Sequence, residues 1–349
     1  MADRVALISI KLIVAANILF LISFLVVTFV ATTRAQAQTP ACTGKNLMEV
    51  IRSEDPKMLE RIEKDAASVK NGEGLLWKIE KEGVEPSYLF GTMHLTDPRV
   101  VTLTPSAQKA FDASGTVVIE TTDVLDQGKM MASIMQQPDL MMFTDDTTLL
   151  SLYSSEDAKT VSKALDARGI PPGSVKKMKP WMLSAMLSLP ACETARKEQG
   201  APILDIKLAN DAKAQGKSVE GLETAVDQLK AMASLPMDFH VKGLLATLEL
   251  GDRMDDVIET MLVLYRNEQT GMFWPFMNAL TPPDELAAVG YSDFEEAMVK
   301  SRNKNMATNA SPLIDEGAAF IAVGALHLPG DEGLIELLRV KNYTVSRVD

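Results

Sequence analysis

The sequence has few of the residues that build metal clusters and nucleic-acid surfaces. Among its 349 residues are three histidines and two cysteines, and 35 Lys and Arg stand against 47 Asp and Glu, for a net charge of −12. Because phosphate binding needs clustered positive side chains, this balance excludes nucleic acid as an expected partner. With three histidines, a dinuclear metal site would need mostly carboxylate ligands, and none is predicted.

Familiar catalytic signatures are also missing. The sequence contains no His-Glu-x-x-His motif, no Gly-x-Ser-x-Gly motif and no P-loop. What remains is ordinary for a globular protein: 46% of the residues are hydrophobic and 23% are charged, which is enough for a sizeable core. No low-complexity tract and no break in composition divides the chain into domains.

The N-terminus is typical of an export segment. Arg4 and Lys11 precede an apolar run over residues 12–30, and Ala35-Gln36-Ala37 matches a cleavage pattern. The run is longer than a usual signal core and close to the roughly 20 residues that span a bilayer, so residues 1–37 are a signal peptide or a retained membrane anchor. Either way the sequence predicts an exported domain over residues 38–349, periplasmic or secreted, with attachment to the inner membrane through residues 12–30 left open.

Both cysteines lie beyond this segment. In an oxidising compartment, two cysteines are the number needed for one disulfide, and we predict a bridge between Cys42 and Cys192. The alternative interpretation is two unrelated buried thiols.

The sequence carries one short phrase twice. Apolar runs lead into Gly91-x-x-His94-Leu and into Gly324-x-x-His327-Leu, and each is followed by a turn that contains Pro and Asp. An apolar run that ends in glycine indicates a buried strand leading into a loop. Since α/β proteins build sites at strand ends, the two phrases predict a site that brings both imidazoles together.

Apolar spacing and turn signals predict the other elements. We expect strands over residues 75–80, 88–90, 116–120, 217–219, 318–323 and 343–348, the first two forming a hairpin. We expect helices over 56–69, 105–113, 129–142, 155–168, 180–189, 203–215, 225–233, 238–270, 284–310 and 330–339. The predicted fold is α/β, with a central sheet built from two pseudo-symmetric βαβ-type halves and a largely helical insertion between them.

The chain from about Cys42 to Val348 resembles the TraB/PrgY/GumN family, which is related to the Tiki metalloproteases. The resemblance rests on an ordered set of motifs: the two Gly-x-x-His phrases, Glu120, Leu204-Asp205, Gly221-Leu222-Glu223-Thr224, Arg302-Asn303, Gly333-Leu334 and Tyr343-Thr344-Val345. Tiki proteins are regarded as divalent-metal-dependent proteases, whereas the wider superfamily also holds an esterase-like group and a haem-binding branch. The resemblance therefore implies a site rather than a substrate.

The residues of these motifs predict a metal centre. His94 and His327 are the expected metal ligands, with Glu120 as third ligand or as general base. Imidazole nitrogen and carboxylate oxygen suit a divalent ion such as Mn, Co or Zn. Two or three protein ligands leave an open position, which is typical of a catalytic site.

Other polar residues have candidate supporting roles. Glu223 is a second carboxylate at a strand-to-helix turn, Arg302 is a candidate for binding an anion or an oxyanion, and Asn303 is a supporting donor. Each also has a structural interpretation, as a residue that interacts favourably with the helix dipole or forms a surface ion pair. Asp205 has the sequence context of a helix cap, and His240 has no motif around it.

Metal-assisted hydrolysis of a peptide or protein substrate is the function that this pattern favours. Two alternatives stay open: a protein of the same fold that binds haem or a small peptide signal without turnover, and an interaction protein of the cell envelope.

Overall fold

The sheet at the centre of the fold contains six strands. The computed structural model describes residues 41–251, 253–280 and 291–348. Within them the strands are β1 (Leu76–Glu80), β2 (Ser87–Thr92), β3 (Thr116–Ile119), β4 (Ser218–Gly221), β5 (Ala319–Gly324) and β6 (Thr344–Arg347). Their order across the sheet is β4-β3-β5-β2-β1-β6, so strands far apart in the sequence lie side by side.

The two strands that precede the Gly-x-x-His motifs are neighbours. β2 pairs in parallel with β5, Thr92 lying opposite Gly324, and β3 pairs in parallel with both β5 and β4. β1 runs antiparallel to β2 and to β6. The carboxyl ends of β2, β3, β4 and β5 therefore share one edge of the sheet, the edge at which α/β proteins bind ligands.

Both faces of β5 are buried, which explains its unbroken apolar sequence. Phe320 and Ala322 pack in one hydrophobic cluster, and Ile321 and Val323 pack in a second. Successive side chains of a strand point to opposite faces, so the two clusters cover the two sides of the sheet. A strand of this kind holds its position firmly because any slip in register would disturb both clusters.

Helices flank the sheet and form the insertion between β3 and β5. They are α1 (Leu47–Glu54), α2 (Pro56–Ala67), α3 (Pro98–Val101), α4 (Pro105–Ala113), α5 (Gln127–Met135), α6 (Ser155–Ala167), α7 (Pro180–Leu187), α8 (Ala191–Glu198), α9 (Leu204–Ala214), α10 (Ala225–Ala233), α11 (Met237–Leu250), α12 (Arg253–Arg266), α13 (Phe273–Leu280), α14 (Tyr291–Glu295), α15 (Ser301–Glu316) and α16 (Leu334–Val340). A π-helical turn, Glu296–Lys300, joins α14 to α15.

Local sequence sets several helix boundaries. The Thr104 side chain accepts from a backbone N–H in the first turn of α4, and Thr224 forms a capping box with Asp227 at the start of α10. The predicted helix over 238–270 is wrong in one respect: it is two helices, because Gly251 adopts a φ of 49° at the end of α11. The helix predicted over 129–142 ends at Met135, shortly before Pro138.

The predicted α/β fold and the β1–β2 hairpin are confirmed. Helices connect β2 to β3 and β5 to β6, as expected of βαβ-type units, but neither pair of strands is adjacent. β5 lies between β2 and β3, and both β2 and β1 lie between β5 and β6. The pseudo-symmetry of the two halves stays a prediction.

Cys42 and Cys192 form a disulfide, which confirms the predicted bridge. The chain from Cys42 onward forms one compact unit. The predicted signal or anchor segment, residues 1–37, lies outside the described residues. In the part of the chain that the structure describes, no helix is both long enough and apolar enough to cross a membrane.

Removing the disulfide should destabilise the protein. We expect the double substitution Cys42→Ser, Cys192→Ser to lower the free energy of unfolding by about 4–5 kcal/mol, since the bridge restricts the unfolded chain across a long loop; its two cysteines are 150 residues apart. Urea unfolding followed by circular dichroism measures the change. Each single substitution should cause nearly the whole loss, and an unchanged unfolding midpoint in all three variants would contradict the prediction.

Candidate metal and active site

Loops at the carboxyl edge of the sheet bring four of the predicted site residues together. His94 follows β2, Glu120 follows β3, Glu223 follows β4, and His327 ends a 3-10 turn directly after β5. The parallel pairing of these strands places their ends side by side, although the residues are spread over most of the chain.

The side chain of Glu120 lies between the two imidazoles. Its Oε1 atom is 3.9 Å from Nε2 of His94 and 3.7 Å from Nε2 of His327. The Gly324 N–H donates to the same oxygen at 2.7 Å. A Cβ atom at position 324 would lie 3.1 Å from Glu120 Oε1, so the glycine of the second motif permits this close approach.

The glycine of the first motif has a matching role. A Cβ atom at Gly91 would lie 2.8 Å from a side-chain carbon of Leu328 and 3.1 Å from Cα of Ala325. Both of these residues belong to the turn around His327. The first motif therefore needs glycine so that the turn of the second motif can pack directly against it.

The inner nitrogens of both imidazoles are held by side chains. His94 Nδ1 lies 3.1 Å from Oδ2 of Asp205, and His327 Nδ1 lies 2.7 Å from Oδ1 of Asn303. The amide nitrogen of Asn303 donates to the carbonyl oxygen of Glu332 at 2.8 Å, so its oxygen is the atom that faces His327. His327 must then carry its proton on Nδ1, which leaves the lone pair of Nε2 pointing towards Glu120.

Arg302 joins the two carboxylates of the site. It donates to Glu120 Oε2 at 2.7 Å, and its Nε donates to both oxygens of Glu223 at 3.1 and 3.2 Å. Gln228 donates to the same two carboxylates, at 3.0 and 2.8 Å. Arg302 and both glutamate side chains are nearly buried, so the guanidinium compensates negative charge that would otherwise be costly to bury.

These contacts shift the pKa of Glu120 strongly. Burial by itself raises the pKa of this carboxyl, but His327, His94 and Arg302 outweigh burial and lower the pKa from 4.5 to about 2. The interactions of ionised Glu120 therefore stabilise the fold above pH 4.5, and this stabilisation is lost as the pH falls from about 4.5 towards 2.

The two imidazoles differ in their protonation. Burial lowers the pKa of His327 from 6.5 to about 4, against the opposing effect of Glu120. Desolvation acts in the same direction on His94, although about half of its side chain is exposed, but Asp205 and Glu120 together outweigh it and raise the pKa to about 9. At neutral pH and without an ion, His94 is protonated, His327 is neutral and Glu120 is an anion.

A cleft opens beside these residues. It has a volume of about 610 Å³ and lies between α10 and the helical segment from α14 to α15. Glu223 and Arg302 form part of its wall, together with the charged residues Asp227, Lys230, Asp293 and Glu296. The cleft gives a polar molecule access to the side of the site that Arg302 occupies.

A second cluster of ligand-type atoms lies elsewhere. Atoms of Cys42, Asp97 and Glu193 all lie within 4.8 Å of one another. Because the Cys42 sulfur belongs to the disulfide and both carboxylates pair with arginines, this cluster has no thiolate and little free negative charge. In the described part of the chain, His94, His327 and Glu120 do not form so tight a group, so the two imidazoles would have to approach each other to share an ion.

The structure adds site residues that the sequence patterns did not identify. Asp205 does not cap α9: its buried carboxylate accepts from the Thr92 hydroxyl at 3.0 Å and faces His94. The only signal for it was its place in the Leu204-Asp205 motif. Gln228 had no signal at all. His240, which had no motif, is buried in α11, and neither of its ring nitrogens has a hydrogen-bond partner among the described residues.

Comparison with known proteins supports the resemblance. A model of the TraB/PrgY/gumN family matches residues 75–347. The chain is also 24% identical to metalloprotease TIKI2 of Danio rerio over 328 residues, which are 80% of this chain and 62% of that protein. It is 23% identical to metalloprotease TIKI1 of Xenopus tropicalis over 77% of this chain and 60% of that protein.

A third relative has a similar level of sequence identity. The metalloprotease TIKI homolog of Nematostella vectensis is 24% identical over 81% of this chain and 69% of that protein. The chain spans about three fifths of the length of the two vertebrate relatives named above. No solved structure matches the chain.

Removing the guanidinium should leave two buried carboxylates uncompensated. We expect Arg302→Met to lower the free energy of unfolding by about 3–5 kcal/mol at pH 7. The deficit should shrink towards pH 4, because loss of Arg302 raises the pKa of Glu120 above its native value, and protonation of this carboxyl then removes part of the unpaired charge. Chemical denaturation at the two pH values measures the loss of stability. Arg302→Lys is the comparison variant, because it keeps the positive charge but loses the several N–H donors of the guanidinium. An equal deficit at both pH values would count against the charge-compensation role.

Proposed function

The chain belongs to the TraB/PrgY/gumN family, and on that basis we propose that it is a metal-dependent hydrolase that cleaves peptide bonds in an exported substrate. The observation that carries the proposal is the approach of two imidazole nitrogens to one oxygen of Glu120. The metalloprotease names of its relatives support the same reaction class.

The donor set fits a divalent ion. Nε2 of His327 presents a lone pair to Glu120 Oε1, and no hydrogen lies between these two acceptors. Two acceptors that face each other in a buried site favour a cation between them. His94, His327 and Glu120 would hold this ion, and Mn, Co or Zn suits their nitrogen and oxygen atoms.

Asp205 and Asn303 act on the ion through the histidines. Each faces the Nδ1 atom of one imidazole, which fixes the ring so that Nε2 points into the site. Such outer partners set the tautomer of a ligand histidine and increase its basicity. Asn303 is therefore a positioning residue in this proposal, rather than a donor to the substrate.

The surroundings of the two carboxylates divide their roles. With a pKa of about 2, Glu120 is a poor proton acceptor near neutral pH, so we assign it as a ligand and not as the general base. Glu223 borders the cleft, and on that position we assign it as the candidate general base. Arg302 fixes both carboxylates in place.

An ion bound here would lower the pKa of a water molecule and polarise the carbonyl of the scissile bond. The protein itself supplies the cleft beside Glu223 and Arg302, the guanidinium that pairs with Glu120, and the hydrogen bonds that hold both imidazoles.

We also propose that the protein works in the cell envelope. The Cys42–Cys192 disulfide is consistent with an oxidising compartment outside the cytoplasm. In this proposal residues 1–37 direct export or attach the protein to the inner membrane, and residues 38–349 form the working domain.

The metal content of the purified protein tests the proposal. We expect about one divalent ion per chain by mass spectrometry, and metal-dependent cleavage of members of a quenched-fluorescence peptide library. His94→Ala should lower the affinity for the ion by more than about 100-fold, since loss of even an outer partner of a ligand histidine lowers metal affinity by about 10–100-fold. His240→Leu is the matched control, because His240 lies outside the site.

A protein that binds none of Mn, Co or Zn would contradict the proposal. The proposal would also be contradicted if the double variant His94→Ala, His327→Ala kept both the bound ion and the activity. A bound ion without cleavage would favour the alternative of ligand binding on the same fold.

The affinity for the ion should rise with pH. Without an ion His94 has a pKa of about 9, so the ion must displace one proton below that pH. We expect roughly a tenfold gain in affinity for each pH unit between 6 and 8.5. Asp205→Asn removes the carboxylate that raises the pKa, so this variant should lose most of the pH dependence above pH 7. Titration calorimetry at several pH values measures both, and a flat profile for the native protein would refute the assignment of His94.

A further inference from the structure

The loop that carries His94 has a second anchor besides Asp205. Residues 93–97 belong to neither a strand nor a helix, so regular secondary structure does not satisfy their backbone N–H groups. Thr96, two residues after His94, finds its partner in α8: its N–H donates to Glu193 Oε2 at 2.8 Å, and its hydroxyl donates to the same oxygen at 2.7 Å.

Glu193 is buried, with 2% of its surface exposed, and both of its oxygens are used. Arg196 donates to Oε1 at 2.6 Å, so one oxygen receives the neutralising charge and the other is left for Thr96. Burying a carboxylate is costly unless it is paired and hydrogen-bonded. Here the second oxygen of the buried carboxylate is bonded to the loop of a candidate ligand.

A covalent bond fixes Glu193 in turn. The preceding residue, Cys192, is bonded to Cys42, and Arg196 also donates to the Cys42 sulfur at 3.2 Å. The chain just after Cys42 is attached to α12, where the N–H of Lys45 donates to Asp256 at 2.7 Å. The start of α8 is therefore held to a helix that packs in the main core.

The next residue of the loop is held by the same group of charges. Asp97 caps α3 through the Arg99 N–H, and it lies 3.5 Å from Arg196. Thr96 and Asp97 are both nearly buried. The loop after His94 thus has fixed points at two successive residues, whereas Asp205 holds the imidazole itself.

We infer that Glu193 is a positioning residue for His94, acting through Thr96 and fixed in place by the Cys42–Cys192 disulfide. The imidazole of His94 is about half exposed, so packing alone does not fix its position. Asp205 orients the imidazole ring, and Glu193 fixes the position of the loop backbone at the edge of the sheet. For its effect on metal binding this inference rests on the proposed function, but the position of His94 does not depend on it.

The variants Glu193→Gln and Thr96→Val test this role. Glu193→Gln keeps the size of the side chain but weakens the acceptor, and Thr96→Val removes one donor at nearly constant volume. Glu259→Gln is the matched control: Glu259 pairs with Arg99 in the same group of charges but does not contact Thr96. The use of two independent variants keeps the test valid if one of them fails to fold.

Two readouts distinguish a positioning role from a purely structural one. In the protein titrated with cobalt(II), we expect Glu193→Gln and Thr96→Val to weaken binding by about 10–100-fold and to change the visible absorption spectrum. In the ion-free protein, nitrogen-15 NMR of the three histidines should show altered ring shifts for His94 and unchanged shifts for His327. Glu259→Gln should behave as the native protein in both measurements.

The outcomes separate this inference from the proposed function. Native cobalt affinity, spectrum and His94 ring shifts in folded Glu193→Gln and Thr96→Val, even with reduced thermal stability, would overturn the positioning role and leave the proposed function standing. Altered His94 ring shifts in a protein that binds no metal would support the positioning role and refute the proposed function.

Discussion

The structure of the site depends on the interactions of one buried carboxylate. Glu120 directs one oxygen towards two imidazoles and a backbone N–H, and the other oxygen accepts from Arg302 and Gln228. A buried anion is stable only when such partners surround it. The edge of the sheet, where parallel strands end side by side, supplies these partners from residues that are distant in the sequence.

Charge compensation then determines what surrounds Glu120. Arg302 neutralises two carboxylates, while Asp205 and Asn303 fix the two histidines from behind. The residues that orient the site come from the helical insertion and from α15, whereas the candidate ligands come from the loops that follow strands of the sheet. The insertion therefore contributes to the geometry of the site, and α8 extends this contribution to the loop of His94 through Glu193.

Packing around the two Gly-x-x-His glycines helps to explain the sequence similarity to the Tiki metalloproteases. An identity of about 24% conveys little about most positions, but both Gly-x-x-His glycines lie where a side chain would crowd the opposite motif or Glu120. The motif is thus a requirement of packing as well as of chemistry. This explains how two short phrases indicate a whole site in a chain that lacks the usual protease signatures.

Local sterics and burial specify several elements that can be recognised along the chain. The apolar runs predicted β2 and β5, Thr104 and the Thr224 capping box predicted helix starts, and the repeated motif predicted His94 and His327 as partners. The strand order, the contact of Asp205 with His94 and the pairing of Arg302 with two carboxylates are visible only in the folded structure. The physical reason is that these features depend on which residues meet across the sheet edge, and such pairs, like Glu193 and Thr96, leave no periodic pattern along the chain.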